Sequence, residues 1–168
     1  VIDIAYDISE GLARAACAGE VNGEVVDLRT VLDSDCELNI LTAKDEKGLA
    51  VLRHTASHVM AQAVQNLYPE AKVAIGPSID TGFYYDFDHE PFSREDLDAI
   101  EKEMKKIIKK GAKIERFTKS REDAIAYFKE KNEPYKVELI EDLPEGEEIS
   151  FYSQGDWTDL CAGPHLMS

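Results

Sequence analysis

Residues Trp157 to His165 read WTDLCAGPH, which sets a carboxylate, a thiol and an imidazole around a Gly-Pro turn. Earlier in the chain, HTASH places His54 and His58 four residues apart, and CAGPH gives Cys161 and His165 the same spacing. Brought together, His54, His58, Cys161 and His165 are the donor inventory of a tetrahedral zinc site. The motif is not that of a zincin, because a glutamate should follow the first histidine and Thr55 stands there. A thiol nucleophile at Cys161 is the other chemistry these residue types allow. It requires a base within hydrogen-bond reach, which spacing does not reveal.

The elements that position these groups can be read from periodicity. A helix is expected over about residues 47–67, with Asp45 as its cap. At 100° per residue Leu52, Ala56, Val59, Met60, Ala63 and Leu67 form one apolar stripe. His54 and His58 share the opposite face with Ala61 and Gln65, so the helix could line a cleft with two imidazoles over small residues. The plain alternative is two exposed histidines. Before this helix, residues 7–18 read as a short helix capped by Asp7 or Ser9, and Asn22-Gly23 signals a type I′ hairpin. Cys36 to Ala43 alternates like a half-buried strand. After it, AKVAIGPSIDTGFYYDFD reads as two strands broken at Gly76-Pro77 and Thr81-Gly82. Ser93 and Asp96 make a capping-box start for a helix that Gly111 stops. KIERFTKS is expected to be a strand, SREDAIAYFKEK a capped helix, YKVELIEDL a strand and ISFYSQG a strand. The fold class is α+β, with a β-grasp-like segment over residues 1–45 and a second unit over 46–168.

Composition narrows the class further. The 168 residues carry a net charge of −15, with 11 acids against 3 bases in residues 1–46 and 23 against 16 thereafter. Such a chain is a poor general nucleic-acid binder, although a local basic surface could still hold an RNA end. Lys102 to Lys119 is the candidate, against a plain reading as a solvated helix face balanced by Glu101 and Glu103. No apolar run approaches the ~18–20 residues that span a membrane, and there is no signal-peptide pattern. Cys17, Cys36 and Cys161 are odd in number and far apart, which fits reduced cytoplasmic thiols. The chain begins at Val1 without a methionine and reads as part of something longer.

RHTASHVMAQAVQNLYPEAKVAIGPSIDTGFYYDF, EPYKVELI and WTDLCAGPH together resemble the N-terminal editing region of threonyl-tRNA synthetases. Residues 1–45 resemble the later part of that family's small β-grasp TGS domain, with its first strands missing. The resemblance implies that residues 46–168 are an editing domain continuing past Ser168. The aminoacylation core with its ATP, Mg and zinc chemistry, and the homodimer contacts, would then lie beyond this chain. It further implies a proofreading reaction, with no cofactor in this part. Serine lacks one methyl of threonine, and a missing group of that size gives a pocket only ~1–3 kcal/mol of discrimination, roughly 10–200-fold. A second site would therefore hydrolyse seryl-tRNA(Thr) by water attack on the ester.

Carried over residue by residue, the resemblance gives His54, Lys136 and Asp159 catalytic parts. His54 positions or deprotonates water, Lys136 orients water or stabilises the carbonyl oxygen, and Asp159 binds the ammonium or hydroxyl of the amino acid. His58, Tyr85, Cys161 and His165 are expected to bind the serine or threonine moiety and the terminal ribose of the tRNA acceptor end. Without the resemblance, Lys136 reads as an exposed strand lysine, Tyr85 as a core aromatic and Asp159 as a turn-capping acid. Trp157 reads as core and His89 as surface. Two rivals stand beside this reading. One is a zinc-dependent editing domain of the alanyl-tRNA synthetase type, with His54, His58, Cys161 and His165 as ligands. The other is a module that binds the tRNA acceptor end without turnover.

Overall fold

A computed structural model describes residues 1–168. The chain opens with two short helices, α1 (Ile2–Ile8) and α2 (Glu10–Ala15), where the sequence pattern suggested one helix over 7–18. Ser9 divides them. Its backbone is extended and its hydroxyl accepts the N–H of Leu12, so it caps α2. The residues that follow leave the helix as β1 (Ala16–Val21), which pairs with β2 (Glu24–Val26) and β3 (Leu38–Thr42) in the antiparallel order β2-β1-β3. Asn22 and Gly23 have φ of 49° and 86°, as the hairpin signal required.

α3 (Glu46–Leu67) is the spine of the molecule. Asp45 stands at its start, but its carboxylate accepts the N–H of Thr42 rather than one from the helix. Around α3 lie the three-stranded sheet, two short ribbons and α4 (Arg94–Lys110). The ribbons pair β4 (Lys72–Val73) with β7 (Phe87–Asp88), and β5 (Ser78–Ile79) with β6 (Gly82–Phe83). α4 carries the full Ser93/Asp96 capping box and ends on left-handed Gly111. Its lysines are exposed, and Lys105 and Lys106 pair with Glu101 and Glu103. Two of the five α4 lysines are thus charge-balanced as in the plain reading, while Lys102, Lys109 and Lys110 stand exposed without an ion-pair partner.

β8 (Ile114–Lys119), β9 (Ile149–Gln154) and β10 (Trp157–Leu160) form a second antiparallel sheet, order β10-β9-β8. α5 (Arg121–Glu130) and α6 (Pro134–Asp142) cover it, and Phe128, Val137 and Ile140 pack with Ile149 and Phe151. α6 corrects the sequence reading, which made YKVELIEDL a strand. Pro134 sits in the first turn, where its fixed φ suits a helix start. The buried residues are Lys136, Val137 and Ile140, a helical spacing. In a strand, Lys136 would face away from Val137; in this helix both turn inward.

A second correction concerns α3. Its expected packed back is only partly buried, and Leu67 is exposed. The histidine side is the more deeply covered, through Thr55, Ser57, His58, Ala61 and Gln62. Small side chains let β10 and the ribbons approach that face. Its polar groups find partners there: Gln154 donates to Gln62 at 2.9 Å and Trp157 donates to Gln65 at 2.7 Å. No buried side-chain nitrogen or oxygen lacks a hydrogen-bond partner, so this polar interior does not carry the desolvation cost of unpaired groups. No helix is long and apolar enough to cross a membrane.

Candidate active site

Three elements converge on the covered face of α3. The first is α3 itself, which presents His54 and His58 one turn apart, with ring centroids 5.2 Å from each other. The second is the β9–β10 hairpin. Register pairs Asp159 with Tyr152, and strand alternation turns Trp157 and Asp159 inward. Beyond Leu160 the chain has no regular structure, and Gly163 reverses its course at φ 76°. Only glycine fits there, because a Cβ would lie 2.2 Å from the Tyr152 hydroxyl oxygen. The reversal brings His165 back onto α3, its ring 4.3 Å from those of both His54 and His58. The third is α6, which delivers Lys136.

The side chains form two linked groups. In one, Cys161 Sγ lies 3.4 Å from His54 Nε2 and 3.2 Å from His165 Nε2. In the other, Lys136 Nζ donates to Asp159 Oδ1 at 2.7 Å and to the Tyr85 oxygen at 3.0 Å, while the Tyr85 hydroxyl donates to Asp159 Oδ2 at 2.7 Å. His58 Nε2 joins the groups, 3.6 Å from Asp159 Oδ2. Between them is a cavity of about 270 Å³ whose wall includes His54, His58, Lys136, Asp159 and Cys161. All seven residues singled out from the sequence are brought together. Five of them line the cavity, whereas Tyr85 and His165 stand behind its wall. The plain readings fail for Lys136, which is buried and helical, and for the histidines, of which His58 is 3% exposed.

Electrostatics set the protonation states. Burial pushes the Cys161 thiol up to about 12, and the neighbouring Asp159 charge adds to this. Burial lowers His54 below the usual imidazole range, partly offset by the Pro164 carbonyl and Asp159. His58 lies well below that range, through burial and then the charges of His54 and Lys136. His165 also lies well below it, through burial and then its two neighbouring imidazoles. Asp159 already has Lys136 as its ion-pair partner, so the approach of His58 does not charge that ring. Near neutral pH the cluster is three neutral imidazoles and a protonated thiol beside one buried Lys–Asp pair.

Thr55 joins the His165 ring to the backbone beyond it. Its oxygen accepts the N–H of Leu166 at 3.1 Å and lies 2.9 Å from His165 Nδ1. If the hydroxyl donates to Nδ1, the His165 proton sits on Nε2, facing Cys161; if it accepts from both partners, the proton sits on Nδ1. Thr55, Tyr152, Asp27 and Arg29 escaped the sequence reading. Thr55 lies inside HTASH, and only its place between two inward-facing histidines could have marked it.

A family model described as the TGS domain matches residues 1–42. A threonine–tRNA ligase of Acetivibrio thermocellus is 66% identical over 167 residues, covering 99% of this chain and 26% of the relative. One from Caldanaerobacter subterraneus subsp. tengcongensis is 60% identical over 169 residues, 100% of this chain and 26% of the relative. The chain matches the N-terminal region of the threonine–tRNA ligase family. A Clostridium botulinum threonine–tRNA ligase agrees, at 62% identity over all of this chain and 27% of the relative. The chain thus spans about a quarter of the length of the threonine–tRNA ligases it matches.

Proposed function

We propose that residues 46–168 are a tRNA editing domain that hydrolyses seryl-tRNA(Thr), and that residues 1–45 are part of a TGS domain. The relationship to threonine–tRNA ligases supports this. The observation that carries it is the shared cavity of His54, His58, Lys136, Asp159 and Cys161. It joins a neutral imidazole, able to take a proton, to a lysine with one uncommitted donor.

In the proposed reaction a water oxygen attacks the ester carbonyl carbon and the bond to the ribose oxygen breaks. Serine and a free ribose hydroxyl result. His54, which burial keeps neutral near pH 7, takes the proton from the attacking water and returns it to the departing ribose oxygen. Two of the three Lys136 N–H groups serve Asp159 and Tyr85; the third is the donor for the carbonyl oxygen as it gains charge. Asp159, in the cavity wall, holds the substrate's ammonium or hydroxyl. Cys161 and His58 shape the cavity, backed by Tyr85 and His165. In this reading the chain works in the cytoplasm on the acceptor end of tRNA(Thr). ATP- and Mg-dependent aminoacylation, the core zinc and the dimer contacts belong to other parts of the longer enzyme.

The test is deacylation of seryl-tRNA and threonyl-tRNA by this chain. Seryl-tRNA should be hydrolysed preferentially, and His54→Ala should cost about 10²–10⁴-fold. Lys136→Ala should lose most activity as well. Binding of tRNA with no turnover would support the acceptor-end module, and full activity in both variants would end this mechanism.

One observation favours a second reading. The donor atoms of His54, His58, Cys161 and His165 all lie within 4.8 Å of one another. Tetrahedral zinc with bonds of 2.0–2.3 Å holds its ligands roughly 3.3–3.8 Å apart, so a small contraction would seat the ion. Zinc would deprotonate Cys161 and engage Nε2 of His165, leaving the His165 proton on Nδ1 toward the Thr55 oxygen. Metal analysis of the purified protein decides: one zinc per chain, lost in both Cys161→Ala and His58→Ala, selects this reading.

A further inference from the structure

The segment that carries Cys161 and His165 is not held in place by its own domain alone. Residues 161–168 have no regular structure, yet the backbone of His165 is committed in both directions. Its N–H donates to Asp27 Oδ2 at 3.1 Å, and its carbonyl accepts from Arg29 Nη1 at 3.3 Å. Arg29 Nη2 also donates to the carbonyls of Leu166, at 2.9 Å, and Ile114. Asp27 and Arg29 bind each other at 2.9 Å, and the Tyr152 hydroxyl donates to Asp27 at 2.6 Å. Both partners are largely buried, at 11% and 18% side-chain exposure, and both belong to the segment that matches the TGS domain.

We propose that Asp27 and Arg29 are positioning residues for the cavity: the N-terminal segment holds the wall that bears Cys161 and His165. A single forked guanidinium gathers the carbonyls of residues 114, 165 and 166, and the carboxylate takes the one free N–H between them. Together with the Thr55 contacts to Leu166 and the His165 ring, the Cys161 contact and the Ile114–Met167 backbone bond, this fastening sets where the His165 ring lies against His54 and His58. A displacement of about 1 Å at such a wall is enough to cost on the order of 10²-fold in rate. The catalytic consequence rests on the deacylase reading above; the positioning itself does not.

The test uses Asp27→Asn, Arg29→Gln and Tyr152→Phe in this chain, with Leu38→Ala as a control that weakens the same segment without removing a hydrogen bond of the clamp. Three quantities are read: melting temperature, the ¹⁵N shifts of the His165 imidazole, and kcat and KM for seryl-tRNA deacylation. Asp27→Asn and Arg29→Gln should move the His165 signals toward a mixed tautomer. They should lower kcat tenfold or more with KM within about twofold, and Tyr152→Phe should act in the same direction but less. Leu38→Ala should lower the melting temperature and leave the His165 signals and kcat unchanged. Unaltered His165 signals in Asp27→Asn and Arg29→Gln would overturn the proposal, as would equal changes in Leu38→Ala. If the parent chain shows no deacylation, the deacylase reading falls, and the His165 signals still decide the clamp.

Discussion

Lys136 Nζ lies 2.7 Å from Asp159 Oδ1, and the two side chains are 3% and 2% exposed. Removing one partner of so deeply buried a pair strands the other charge, at a cost of about 3–5 kcal/mol, whereas replacing both by neutral groups is often tolerated. Lys136→Met should therefore destabilise the chain by about that amount, and adding Asp159→Asn should restore much of it. Deacylation should be lost in the single and the double variant alike. Urea unfolding and the seryl-tRNA assay together separate the two effects. A double variant no more stable than Lys136→Met would show that the pair is not what holds this corner together.

Acid should weaken the fold from near pH 6.5 downward. Burial holds His58 and His165 well below the ordinary imidazole value of about 6.5. Below that pH the unfolded chain takes up protons that the folded chain refuses, so stability falls as pH falls. The slope should approach ~1.4 kcal/mol per pH unit for each histidine until its folded pKa is reached. Asp27, lowered from 3.8, adds a loss only below that value. Urea titrations between pH 7.5 and 4.5 should show this slope, and His58→Gln should reduce it. A flat profile over that range would mean that these rings are not buried in their neutral forms.

Cys161 should prove dispensable for chemistry. With its thiol pushed up to about 12, only on the order of one molecule in 10⁵ carries the thiolate at pH 7. The resting thiol is thus not the preformed thiolate of an activated cysteine, and in the proposed mechanism His54 serves water instead. Cys161→Ala should retain deacylation within about tenfold, and no seryl-thioester should form. Loss comparable to that of His54→Ala would instead return the thiol, or a metal bound to it, to the centre of the mechanism.

How far the sequence disclosed this arrangement depended on which interactions are local. The Asn22-Gly23 hairpin, the Ser93/Asp96 box and the Gly111 stop are short-range devices, and each stands where its residues placed it. The facing of His54 and His58 followed from helical spacing, but their depth did not, because burial depends on what packs from elsewhere. YKVELIEDL alternates well enough to pass for a strand. The burial of Lys136 becomes favourable only once Asp159 and Tyr85 arrive from 23 and 51 residues away. The Asp27–Arg29 clamp left no trace at all, since its partners are mainly backbone groups more than a hundred residues further along.

Gly76 offers a last test of how the back of the cavity is built. A Cβ there would lie 2.0 Å from Cδ2 of Tyr85. That ring has no easy retreat, because it stacks on Phe87 at 5.0 Å and its hydroxyl is held by Lys136 and Asp159. Gly76→Ala should therefore act through Tyr85, costing about 1–3 kcal/mol by overpacking and disturbing the Lys–Asp pair. Seryl-tRNA deacylation should fall with it. Gly23→Ala is the contrast: φ is 86° and nothing lies within 4 Å, so strain should lower stability and leave activity intact. Tyr85→Ala removes the obstructing ring atoms along with the hydroxyl. Combined with Gly76→Ala, it should cost clearly less stability than the two single changes added together. Strict additivity would mean that the glycine is needed for some reason other than the ring it faces.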